Sequence, residues 1–93
     1  MPRYMIQMTH GNDHEACVRA LHAIERYGGH LFTKAEWGCK VGVHSGWVVV
    51  EVESRHAAEQ MVPPELRDDA QVIELNKFTH EEIASWVARL GDS

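Results

Sequence analysis

The sequence predicts an α+β domain, with strands and helices in the order β-α-β-β-α-β and one more helix after them. Three observations predict it. Tyr4, Ile6 and Met8 recur at every second position along 3–9, and side chains alternate in character along 47–53, the period of a strand whose two faces differ. Cys17, Ala20, Leu21 and Ile24 recur at helical spacing, as do Ile83, Trp86, Val87 and Leu90. Between these stretches stand the breakers Gly11-Asn12-Asp13, Gly28-Gly29, Ser45-Gly46 and Pro63-Pro64. No repeat or low-complexity tract divides the 93 residues, so 1–93 reads as one domain. A domain of this size buries roughly two thirds of its unfolded surface, a modest core that dimerisation would enlarge.

The first strand covers 3–9, with Tyr4, Ile6 and Met8 on one face and Met5, Gln7 and Thr9 on the other. Asn12 is placed to cap the first helix, and Glu15 to reach back to the cap amide. Glu15 and Arg19 are ordered for an exposed i,i+4 pair, and Gly28-Gly29 ends the helix. His30 to Lys40 reads as a second strand, on which Phe32, Lys34 and Glu36 share a side. Ser45-Gly46 gives a hairpin signal before the third strand, while Gly38 and Gly42 permit a bulge or longer loop. Ser54 caps a short helix over 55–62 that Pro63-Pro64 ends, and 65–69 connects to a fourth strand at 71–76. The last helix has the clearest local signal: a Thr79–Glu82 capping box and a Phe78–Ile83 staple. Its stripe of Ile83, Trp86, Val87 and Leu90 calls for an apolar partner, and Gly91 stops it.

This order is the split βαβ, ferredoxin-like pattern, an antiparallel sheet with its internal helices on one face. The other face then needs a cover. Strand parity assigns to it Met5, Gln7 and Thr9, then Trp47, Val49, Glu51 and Glu53, then Val72, Glu74 and Asn76. That set is too apolar to stay bare and too polar for a dry core. Two such faces meeting across a dimer axis, around a small polar-lined cavity, would satisfy both demands.

With that architecture the chain resembles the dimeric α/β-barrel superfamily over about residues 3–78. Tyr4-Met5-Ile6-Gln7-Met8-Thr9-His10, Ala35-Glu36-Trp37 and Trp47-Val48-Val49-Val50-Glu51-Val52 also look like a family of short, uncharacterised bacterial proteins with this fold. The superfamily includes cofactor-free monooxygenases, isomerases, haem-dependent enzymes, stress-responsive barrels and effector domains. The resemblance implies a fold and a homodimer, and no single activity.

Nine Lys plus Arg against fourteen Asp plus Glu give a formal charge of −5, with the basic residues scattered, so a nucleic-acid phosphate footprint is not expected. No apolar run is long enough to span a membrane, and Met1-Pro2-Arg3-Tyr4 lacks a signal-peptide core; the expectation is a cytoplasmic protein with reduced Cys17 and Cys39. Histidine is over-represented, at seven residues. Zinc sites usually carry closely paired ligands. His10 and His14 have such a spacing but straddle the Gly-Asn-Asp turn, while Cys39 and His44 lie five apart around a loop. These read as histidines at element ends, so neither a metal nor a cofactor is expected. A Cys39–His44 nucleophile lacks an activating helix dipole.

The carboxylates carry more promise. Glu51 and Glu74 facing one cavity beside Trp47 would raise at least one pKa and supply a general base. The expectation is therefore small-molecule binding at Gln7, Trp37, Trp47, Glu51 and Glu74, with Glu51, Glu74 or His10 as catalytic candidates in cofactor-independent monooxygenase or isomerase chemistry. The alternative is a non-catalytic sensory or interaction module that uses the sheet face for assembly.

Overall fold

The computed structural model describes residues 1–27 and 29–91. In chain order these form β1 (Arg3–Thr9), α1 (His14–Tyr27), α2 (Gly29–Lys34), β2 (Glu36–Trp37) and a 3-10 turn (Cys39–Val41). Then come β3 (Ser45–Glu51), α3 (Arg55–Gln60), α4 (Pro64–Arg67), β4 (Ala70–Leu75) and α5 (His80–Arg89). The strands make one antiparallel sheet in the order β2-β3-β1-β4. β1 is central because Tyr4, Ile6 and Met8 alternate on one face, and that face is buried. Ile6 stands opposite both Val48 and Val72, and Tyr4 opposite Val50 and Glu74. Ala20 and Ile24 of α1, Leu31 of α2, Ala58 of α3, Val62, and Leu66 of α4 close over this face. Burying each larger apolar side chain is worth about 1.5–3 kcal/mol. No helix among the described residues is long and apolar enough to cross a membrane.

Several expectations need correction. Residues 29–34 are helical, so the second strand shrinks to Glu36–Trp37 and the shared strand face of Phe32, Lys34 and Glu36 does not exist. The β preference of Phe32 and Thr33 gives way to placing Leu31 in the core, and the Ala35 N–H closes the helix on the Leu31 carbonyl at 2.9 Å. Asp13 takes the place given to Asn12, its Oδ1 accepting from the Ala16 N–H at 2.7 Å, while Glu15 pairs with Arg19. Of the expected Gly28-Gly29 stop, Gly28 lies outside the described residues and Gly29 opens α2. Ser45 and Gly46 belong to β3, and the chain reverses instead through Gly38–Gly42. Gly38 permits this reversal because a Cβ there would lie 2.8 Å from Val43 Cβ and 2.9 Å from its carbonyl oxygen. Pro64 does not merely end one helix; it sits at the first turn of α4, where its missing N–H costs nothing.

β4 reverses the parity expected of it. Val72 is buried opposite Ile6, so Val72 and Glu74 lie on the helix-covered side, and Gln71 and Ile73 face outward. The fourth strand was expected one residue later, but the reason for the inversion is parity: its alternation is Val72 in and Ile73 out. Similarly, among the described residues the apolar stripe of α5 stays largely exposed. Ile83, Trp86 and Val87 are each more than two fifths exposed and Leu90 is 75% exposed. The Thr79–Glu82 box is present with both arms, and Phe78 meets Trp86 edge-on at 5.2 Å between ring centroids.

Candidate functional site

Register separates the expected ligand residues into two groups. Gln7, Trp47 and Glu51 share the open face, where the Trp47 Nε1–H donates to Gln7 Oε1 at 3.2 Å. Around that pair lie Met5, Val49 and Ile73, the last two 42% and 43% exposed. Glu74 stands opposite buried Tyr4 on the other side of the sheet, so Glu51 and Glu74 do not face one cavity. Both carboxylates belong to exposed residues. Trp37 is likewise on the helix-covered side, against the core and directly over Gly46, where a Cβ would fall 2.4 Å from its ring.

His10 is drawn into a different constellation. It follows β1 on the parity of Tyr4, Ile6 and Met8, while His44 precedes β3 on the parity of Gly46, Val48 and Val50. Thr9 pairs with Ser45, and at the next rung the His10 N–H donates to the His44 carbonyl at 3.2 Å. The two rings come to 5.4 Å between centroids, edge to face. Cys39 is returned to them by its loop: the Gly38 N–H donates to Ser45 O at 3.0 Å and the Val43 N–H to Gly38 O at 2.9 Å. Left-handed Gly42, at φ +87°, closes the 3-10 turn. His10 Nε2 then lies 3.0 Å from Cys39 Sγ, and the ligand atoms of His10, Cys39 and His44 all fall within 4.8 Å of one another.

Protonation follows from the partners. A carbonyl only accepts, so the contact of His10 Nδ1 with Gly11 O at 2.8 Å puts the proton on Nδ1 of the neutral ring. Nε2 of that tautomer carries the lone pair and is aimed at the Cys39 sulfur. Burial first, and then the Cys17 thiol as hydrogen-bond partner and as a second potentially negative sulfur, push the Cys39 thiol up to about 11. Two buried atoms, His44 Nδ1 and Trp37 Nε1, lack a hydrogen-bond partner among the described residues. Beside the cluster, His14, Cys17, Val18 and Leu21 of α1 face Ala35, Trp37, Cys39, Lys40 and His44 across an open cleft of about 760 Å³.

No family model, curated protein or solved structure matches the chain. The weight of the site therefore rests on its geometry. Reading His10 against His14, and Cys39 against His44, kept apart residues that belong together. The signal that joins them is the parity of β1 and β3, which carries His10 and His44 to one side at one end of the sheet.

Proposed function

We propose that the protein is a ferredoxin-like subunit of a dimeric α/β barrel that binds a small molecule. The ligand site is the cleft beside Trp37 instead of the Glu51–Glu74 pair expected from strand parity. The observation that carries this reading is the make-up of the cleft. Its volume lies within the range of small-molecule sites, and Val18, Leu21, Ala35 and Trp37 give it apolar walls. A few polar groups converge there: His14, Cys39, His44 and the Lys40 ammonium. Such a lining favours a molecule with an apolar, ring-sized body and one anionic group. The fold assignment is supported by the sheet order β2-β3-β1-β4, and the dimer by the exposed Val49 and Ile73.

The test is a screen of aromatic and aliphatic carboxylates followed by amide chemical-shift mapping. Hits should perturb Val18, Leu21, Trp37 and Lys40, and lose affinity in Trp37→Leu and Lys40→Ala but not in Glu51→Gln. Hits that instead perturb Gln7, Trp47 and Glu51 would return the site to the sheet face. The exposed stripe on α5 favours a second reading, a non-catalytic interaction module; a chain that takes up no small molecule yet self-associates through that stripe would support it.

A further inference from the structure

We infer that His10, Cys39 and His44 form a three-ligand site for a divalent transition metal of the zinc type, with its fourth position open toward the cleft. The site does not depend on a small molecule occupying that cleft.

Convergence is the first argument. The three side chains come from the end of β1, the 3-10 turn and the entry to β3, and backbone hydrogen bonds tie all three segments together. Ligands of a tetrahedral zinc, bound at their usual lengths, stand about 3.3–3.7 Å from one another. Here His10 Nε2 and Cys39 Sγ are 3.0 Å apart and all three ligand atoms lie within 4.8 Å of one another, so small side-chain rotations complete the set. No backbone rearrangement is needed.

Donor chemistry is the second. Two imidazoles and a thiol make a borderline-to-soft set without a carboxylate, which suits zinc, cobalt or copper and is wrong for calcium and magnesium. The third argument is orientation. A metal-binding histidine typically donates its other ring N–H to a carbonyl or carboxylate, fixing the tautomer. His10 has that arrangement already, with Nδ1–H on Gly11 O and the Nε2 lone pair aimed into the cluster. His44 supplies a fourth argument, a buried Nδ1 with no partner among the described residues. A simple Cys–His hydrogen bond needs no second imidazole crowded against it.

Cys17 lines the same cleft but is not among the converging ligand atoms, which leaves a coordination position free. Three protein ligands plus an open position is the pattern of catalytic zinc, whereas structural zinc is enclosed by four. On binding, the Cys39 sulfur exchanges its S–H bond for a sulfur–metal bond and the proton leaves to solvent.

The test titrates Co(II) into reduced, chelator-treated full-length protein under anaerobic conditions. The expected result is one ion per chain, with a thiolate-to-cobalt charge-transfer band and the intense visible bands of a four-coordinate ion, all displaced by Zn(II). Cys39→Ser should remove the charge-transfer band. His10→Gln and His44→Gln should each weaken binding by about tenfold or more, and Cys17→Ala should keep the band. If a variant fails to fold, the wild-type chain decides: 113Cd resonance in the one-thiolate, two-imidazole range, with shifts at the His10 and His44 ring nitrogens, supports the site. No charge-transfer band in wild type, a band that survives Cys39→Ser, or histidine variants that bind normally would overturn it. None of these readouts uses a cleft ligand, so failure here leaves the small-molecule reading standing, and the converse also holds.

Discussion

Trp37 lies flat over Gly46, and this one contact positions the wall of the cleft. Any side chain at residue 46 would meet the indole at 2.4–2.6 Å, and a ring held by β2 and the core has little room to retreat. Gly46→Ala should therefore cost roughly 1–3 kcal/mol, the usual penalty for overpacking, measured by urea unfolding. An unchanged midpoint would mean that Trp37 moves freely. Cys39 gives a second expectation at this scale. Because its thiol is pushed up to about 11, little thiolate exists at pH 7 in the metal-free chain. Iodoacetamide should label it slowly, with the rate climbing about tenfold per pH unit toward that value, as mass spectrometry of the labelled peptide would show. Labelling at pH 7 as fast as that of free cysteine would contradict the burial argument. Residue identity made the histidines and cysteines conspicuous in the sequence. What it withheld was their partners, because His10 and Cys39 meet through strand register and loop closure, 29 residues apart.

Elements whose signals are local were legible, and those decided by tertiary burial were not. The Thr79–Glu82 box could be read because both of its hydrogen bonds lie within four residues. The Ser54 cap on Ala57 is similar, at 3.1 Å. Residues 29–34 went astray because a short run rich in β-formers is helical when the helix seats Leu31 in the core. β4 went astray for a related reason: Val72 and Ile73 are both apolar, so composition alone does not say which points inward. That inversion moved Glu74 across the sheet and dissolved the carboxylate pair. The cap of α5 makes a test at this scale. Thr79→Ala should remove about 1 kcal/mol of helix stability. Since the stripe of α5 is exposed among the described residues, the loss should be read as faster amide exchange over 83–90, with the urea midpoint of the sheet unchanged. A fall in that midpoint would show that α5 is coupled to the core.

At the scale of the whole molecule the chain is extended. Its radius of gyration is 17.0 Å, against about 12 Å for a compact domain of this length, and it measures 55 × 29 × 21 Å. Among the described residues, apolar side chains stay uncovered on the open sheet face around Val49 and Ile73 and along the stripe of α5. In the proposed dimer each copy would cover the other's surfaces, because an isologous interface presents the same patches twice. Sedimentation equilibrium at micromolar concentration should therefore report a homodimer. Val49→Glu is the sharpest probe: Val49 is 42% exposed, so the subunit tolerates the change, yet pairing would bury a carboxylate from each copy. The dissociation constant should rise by well over tenfold, since an unpaired charge in an interface costs several kcal/mol. Trp86→Glu should weaken the dimer too if α5 contributes to the same interface. Val41→Glu serves as control, being 82% exposed in the 3-10 turn and on neither β3 nor α5. A chain that sediments as a monomer, or a Val49→Glu variant that pairs as well as wild type, would remove the sheet face from the assembly and leave its apolar residues in need of a different partner.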